Sequence, residues 1–208
     1  MRGTLSVPVI VAAGFRVLEA AGLNGVTARA VAAELGVRPS ALYHHLPDMA
    51  TLLDEMATQL RREMPAWQVS DWADLLRATG SELRRSLLAH RDGGRLFAGR
   101  RLRDPALLPL MEQPLHTLVA AGLPLELAVN ALQSVVDLTV GFVIEEQHRS
   151  SGESGAYDAE GRRALVPAGE FPLTAAASVP LLADPDQRYR ISLDLLVDGV
   201  GTRIPRAM

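Results

Sequence analysis

The chain has 208 residues, enough for one large domain or two small ones sharing a core. Its 48% hydrophobic and 22% charged composition is that of an ordinary globular protein, and with only 4% aromatics Leu, Val and Ala must fill the interior. A net charge of −3 neither points to nucleic acid nor excludes it, whereas the absence of Cys excludes disulfides, zinc–thiolate sites and thiol catalysis.

Helix signals dominate from the first residues onward, so the expected fold class is all-α. The apolar run Leu5–Phe15 has the length of a signal-peptide core. However, Val7, Ile10, Val11, Gly14, Val17, Leu18 and Ala21 recur at helical spacing and Arg16 and Glu19 follow at once, which favours an amphipathic core helix and a cytoplasmic protein. Ser6 is placed to cap that helix and Gly22 to end it. Thr27 can cap a short second helix over 28–35, ended by Gly36. A third fits 39–45, broken by Pro47. Asp48 opens a long fourth helix that Pro65 ends or bends, and Ser70 or Asp71 opens a fifth running to about residue 89.

Gly93 and Gly94 then mark a turn before a short segment at 95–100. Asp104-Pro105 pairs an N-cap with Pro at the first helical position, opening a helix that ends at Gly122. The helix from Pro124 to His148 is apolar on several faces, which is the pattern of a buried helix. Apart from the N-terminal run Leu5–Phe15, no stretch, this helix included, reads as long enough to span a membrane. Ser150–Gly169 is rich in Gly, Ser and charge and reads as a long loop. A helix near 173–183 follows, and Asp184-Pro185 caps the last one, through about Val200.

The informative stretch is TARAVAAELGVRPSALYHHLP, Thr27–Pro47. Two short helices meet at Gly36, which tolerates the positive φ of a tight interhelix turn. Ala32 is small enough for the helices to cross closely, and Val31, Leu35, Val37 and Leu42 sit where such a pair buries side chains. That arrangement is a helix-turn-helix whose second helix is presented to a major groove. The bare spacing also fits an ordinary helical hairpin. The ending Leu42-Tyr43-His44-His45 and the following Leu52-Leu53-Asp54 add what spacing lacks: together with the Thr27 cap and the Leu35-Gly36-Val37 turn, they resemble the tetracycline-repressor (TetR) family of regulators. The resemblance extends to Leu87-Leu88-Ala89-His90-Arg91-Asp92-Gly93 and to the run Leu138 through Gln147, which are similar to the C-terminal domain of the tetracycline-repressor-like branch.

The resemblance implies a head at 1–48 and a ligand-binding and dimerisation domain at 49–208, with 49–65 as the connecting helix. It implies DNA contacts by Thr27, Arg29, Arg38, Pro39, Ser40, Ala41, Tyr43 and His44. Tyr43 would use its hydroxyl on a phosphate and Arg29 its fork of donors on a guanine edge. Pro39 stands where the branch has a base-reading Gln, and Met49 where it has a phosphate-binding Lys, so a different operator and few phosphate contacts are expected. The first fifty residues carry Arg2, Arg16, Arg29 and Arg38 against Glu19, Glu34 and Asp48. His45 is expected in a packing role. Two helices, 124–148 and 184–200, are implied to meet their symmetry mates in a four-helix interface, with Leu196 within it, and a twofold homodimer also suits a palindromic operator on double-stranded DNA.

The branch binds its drug through a magnesium ion with the help of two His, an Asn, a Gln and a Glu. At those positions this chain has Phe97, Pro65, Thr79, Pro114 and Glu145, so only the Glu survives. No metal and no cofactor are therefore expected, and Glu145 reads as a solvated or Arg-paired carboxylate facing Arg100 or Arg101. The inducer is expected to be a small, fairly apolar molecule held among Met64, Leu83, Phe97, Pro114, Leu132 and Val136, with Thr79, Thr117 or Arg101 orienting it and Glu145 kept among the ligand-binding residues. Two other readings stay open. One is a helix-turn-helix protein with no inducer, which an internal pocket with polar groups would disfavour. The other is an all-α enzyme, against which the five His show no metal-ligand spacing and no phosphate loop or nucleophile elbow occurs.

Overall fold

The computed structural model describes residues 4–65, 69–101, 104–150 and 159–205. The expected contribution of Arg2 and part of the expected loop, residues 151–158, lie outside the described residues. Among the described residues the chain is helical with no strand. The head consists of α1 (Val7–Ala21), α2 (Ala28–Leu35) and α3 (Pro39–Leu42), and α4 (Met49–Arg62) leads into the body. The body contains α5 (Trp72–Leu88), α6 (Gly93–Phe97), α7 (Leu108–Ala120), α8 (Leu125–Ser150), α9 (Ala159–Leu165), α10 (Pro172–Ala176), α11 (Ser178–Leu181) and α12 (Pro185–Gly201). Two 3-10 turns, Leu23–Gly25 and Pro105–Leu107, complete the path.

Side-chain caps set most of the starts. Thr27 accepts from Ala30 N–H at 3.2 Å, Asp48 from Thr51 at 2.7 Å, and Asp71 from both Ala73 and Asp74 at 2.9 Å. Each satisfies a donor that the first turn leaves open. Ser6 departs from expectation, for its side chain makes no capping bond. Helix α4 stops at Arg62, three residues before Pro65. The expected loop contains α9, a short helix packed on α11 whose Leu165 is largely exposed. Without a buried stripe it leaves no periodic signal in the sequence.

Helix α8 runs through the middle of the body, packed against α5, α6, α7 and α12. Its apolar faces divide among three tasks. Ala128, Ala131, Val135, Thr139 and Val143 are buried within this one chain. Leu132, Val136 and Val140 line a cavity. Leu125, Leu127 and Val129 are exposed. At 26 residues and a mean hydropathy of 1.7 in its most apolar window, α8 is also long and apolar enough to cross a membrane, which corrects the reading that no such stretch exists. Only 28% of that window is buried within the single chain, so packing on the neighbouring helices answers only part of its apolar surface.

Helix α12 is fixed to α5 and α8 by Arg84. Its guanidinium forks onto Glu146 at 2.8 and 3.0 Å, reaches Asp186 at 2.7 Å and lies over the Tyr189 ring. Bidentate pairing with stacking is geometry that Lys could not reproduce. The close approach of α6 to α8 depends on Gly94: a Cβ there would meet Ile144 Cγ1 at 2.9 Å and Ile144 N at 3.1 Å.

Candidate functional site

The head presents one polar face. Helix α2 ends at Gly36, whose φ of 65° and ψ of 32° are left-handed. The Gly36 and Val37 N–H groups then reach back to Ala33 O and Ala32 O, at 3.1 and 2.9 Å. This closed turn satisfies the last carbonyls of α2 and aims α3 across it. Val31, Ala32 and Leu42 are buried at the crossing. Pro39 takes the first position of α3, where a missing N–H costs nothing. The regular helix covers only Pro39–Leu42, shorter than expected. A hydrogen-bonded turn, Leu46 N–H to Leu42 O at 3.0 Å, carries Tyr43 and His44 onward.

Thr27, Arg29, Arg38, Pro39, Ser40, Tyr43 and His44 are exposed, and Ala41 is half-buried beside them. Among the described residues Arg29 and Arg38 have no ion-pair partner, whereas Arg16 is tied to Glu34 across α1 and α2. Two cations thus stand unneutralised on the face. Met49 is half-buried against the core and adds no charge. His45 is exposed, so the packing role expected of it is not observed.

The second feature is a cavity of about 700 Å³ inside the body, walled by the end of α4, by α5, by α6 and the residues after it, and by α7 and α8. Met64, Thr79, Leu83, Phe97, Pro114, Leu132 and Val136 all line it. Three residues expected there do not. Arg101 is exposed, with its backbone N–H directed at Asp54. The Thr117 hydroxyl turns back to Gln113 O at 3.2 Å, as a Thr within a helix readily does. Glu145 is exposed on a neighbouring hollow and pairs with Arg149 at 3.7 Å, rather than with Arg100 or Arg101. One turn of helix separates the two members of that pair, so the partner is local.

Besides Thr79, the polar residues on the cavity wall are Arg61, Arg100, Gln133 and Asp137, none of which the sequence singled out as lining it. One signal was available for Arg61. Pro114 lies inside α7 and has no N–H for the carbonyl four residues earlier. That carbonyl, Leu110 O, accepts instead from Arg61 Nη2 at 3.2 Å. A proline within a helix therefore announced an open acceptor, although not which donor would fill it.

Head and cavity are joined through the start of α6. Asp92, at a left-handed φ of 55°, accepts from Leu23 N–H of the head at 2.8 Å. His90 Nδ1 lies 2.9 Å from Glu19, Arg91 donates to Ala20 O and Arg95 to Asn24. The other end of α6 supplies Phe97, Ala98, Gly99 and Arg100 to the cavity wall.

Two family models match this chain. Residues 10–56 match the bacterial regulatory proteins of the tetR family, and residues 64–204 the tetracyclin repressor-like C-terminal domain. The chain belongs to the TetR family. The class A tetracycline repressor protein of Escherichia coli is 34% identical over 198 residues, covering 93% of this chain and 89% of that one. A possible TetR family regulator from Streptomyces coelicolor has a TM-score of 0.84 at 32% identity, covering 95% and 99% of the two chains. The Streptomyces coelicolor protein ActR, solved in complex with actinorhodin, has a TM-score of 0.85 at 26% identity over 99% of this chain and 100% of its own. This TetR protein is a DNA-binding transcriptional repressor with an all-α fold, and its family consists of regulators rather than enzymes.

Proposed function

We propose that this TetR protein binds a palindromic operator as a homodimer and is released by a small, largely apolar molecule bound in the body cavity. The observation that carries the reading is the continuity of α6, which grips the head at its start and walls the cavity at its end. A ligand that orders residues 97–100 in one position biases the head through Asp92 and Arg91, and the shift is limited by its differential affinity for the two states. The ligand-bound relative supports the same use of the cavity, as does its size, which is usual for small-molecule sites. A cavity with polar groups on its wall also favours this reading over a DNA-binding protein without an inducer.

In the head, Tyr43, Ser40 and Thr27 serve as phosphate ligands and Arg29 and Arg38 as charged or base-reading contacts, with Pro39, Ala41 and His44 beside them. The division at residue 48, between the head and a body that begins with the connecting α4, follows from this assignment. The dimer uses the exposed apolar residues Leu125 and Leu127 of α8 and Ile191 and Leu195 of α12, since a single chain leaves them in water. Magnesium-tetracycline is not the inducer. Phe97, Thr79 and Pro114 give the cavity no imidazole or amide at the drug's positions, Pro65 offers none, and Glu145 faces away.

The test is selection of operator sequences from random duplexes with ligand-free protein, followed by release assays. The expected result is a twofold-symmetric site whose binding is relieved by an apolar small molecule. Failure to select any sequence refutes the proposal.

A further inference from the structure

The apolar walls of the cavity are interrupted by two cationic side chains whose hydrogen bonding is incomplete. Arg61 Nη2 is held by Leu110 O, but Arg61 Nη1 is buried with no acceptor. Arg100 Nε is likewise buried with no acceptor, and its Nη1 comes only to 4.0 Å from Asp54. Burial pushes the Arg61 guanidinium below its ordinary value, yet arginine remains protonated across the working pH range. Of the carboxylates beside these two positive charges, Asp137 on the wall already accepts from Gln133 at 2.8 Å, and Asp54 reaches Arg100 only at the outer limit of an ion pair. A buried guanidinium nitrogen with no acceptor is costly, and two such cations on one wall leave a positive potential that favours an anionic group in the cavity.

We infer that the effector carries an anionic oxygen, a carboxylate or an acidic enol, on an otherwise apolar body, and that Arg61 and Arg100 receive it. This rests on the reading of the cavity as the effector site. The two arginines enter from different elements, the last turn of α4 and the segment after α6, so one acidic group ties the connecting helix to the α6 segment. Phe97, Leu83, Leu132 and Val136 take the apolar remainder, which a free inorganic anion would leave unfilled. A neutral ligand of the same shape fills the apolar space but leaves the arginine donors weakly matched, because charge-assisted bonds are about twice as strong as neutral ones.

The experiment uses the full-length protein and calorimetry with matched pairs: anthraquinone-2-carboxylate and its carboxamide, 2-hydroxy-1,4-naphthoquinone and its methyl ether, and a panel of one- to four-ring aromatic acids with their amides. The acidic member is expected to bind at least about tenfold more tightly. Arg61→Met and Arg100→Gln should each remove most of that preference, read as the ratio of acid to neutral affinity within each variant, and Arg85→Gln, remote from the cavity, should leave the ratio intact. Arg61→Met removes an incompletely paired buried charge but also the donor to Leu110 O, so its melt is recorded beside that of Arg100→Gln, and a cooperative transition in both variants separates lost recognition from lost folding. The carboxylate and enol arms identify which oxygen is preferred. Equal binding of acid and neutral partners, a preference that survives both substitutions, or a panel with no acid-selective member overturns the inference. Operator release is measured in the same samples. Release by neutral compounds with no acid preference refutes the inference and leaves the effector reading standing. Arginine-dependent binding without release keeps the anion site and refutes the effector reading.

Discussion

Gln147 on α8 holds the turn from which α6 starts, and its removal tests whether that turn depends on the core. Its Oε1 accepts from Gly94 N–H at 3.1 Å, and its Nε2 donates to Leu87 O at 3.2 Å and His90 O at 2.7 Å. In Gln147→Leu the shape is nearly kept, so the cost is polar. The two carbonyls retain bonds within the turn, from His90 N–H and Gly93 N–H, and each loses a bond worth about 0.5–1.5 kcal/mol. Gly94 is buried and its N–H loses the acceptor described for it, which costs about 1–3 kcal/mol. The expected total is about 2–6 kcal/mol, a large share of a typical domain's stability.

Urea unfolding followed by circular dichroism reads this loss as a lower midpoint at unchanged slope. Hydrogen exchange locates it, with the Gly94 amide protected in the wild type and exchanging rapidly in the variant. Because α6 also holds the head through Asp92, the variant should in addition uncouple ligand binding from operator release. A loss below about 1 kcal/mol with Gly94 still protected would mean that the turn stands on its own bonds and that α8 does not position it.

Further expectations concern the head, the dimer, the drug and pH. Tyr43→Phe should weaken binding to all duplexes by a similar factor, whereas Arg29→Ala should relax preference at one base pair, both read by competition binding. Leu195→Arg should convert a dimer to monomer by light scattering, since it places an unpaired charge in the proposed interface; Leu195 is 70% exposed in the single chain. Leu196 is half-buried against the chain's own core and is the poorer probe. Tetracycline with magnesium should neither bind tightly by calorimetry nor release the operator. Burial pushes the Tyr189 phenol above its ordinary value, with the Thr139 hydrogen bond and Arg84 opposing. Its contribution is therefore complete below the free phenol's pKa, near about 10, and is lost as pH rises through the folded value. Tyr189→Phe should cost about 1 kcal/mol at neutral pH, for the 2.7 Å bond to Thr139, and flatten the alkaline fall in melting temperature.

The sequence by itself determined the helical class, most helix starts and the head. Caps and turns are local: Thr27, Asp48 and Asp71 act within three residues, and Gly36 acts through its own φ, so nothing distant is needed to read them. It also placed seven of the ten expected cavity residues on the wall, because those positions follow the family's framework. What it could not supply is which long side chains turn inward. Arg61 and Arg100 sit at helix and turn positions where a solvated arginine is the ordinary outcome, and only the crossing of α4, α6 and α7 brings them onto the cavity wall and buries part of each head. Helix α8 shows the same limit. Its all-round apolar pattern states that every face avoids water, but whether a face meets the chain's own core, a cavity or the outside depends on which helices pack beside it. Packing of remote segments is a property of the assembled body, and the one-dimensional pattern carries only its sum.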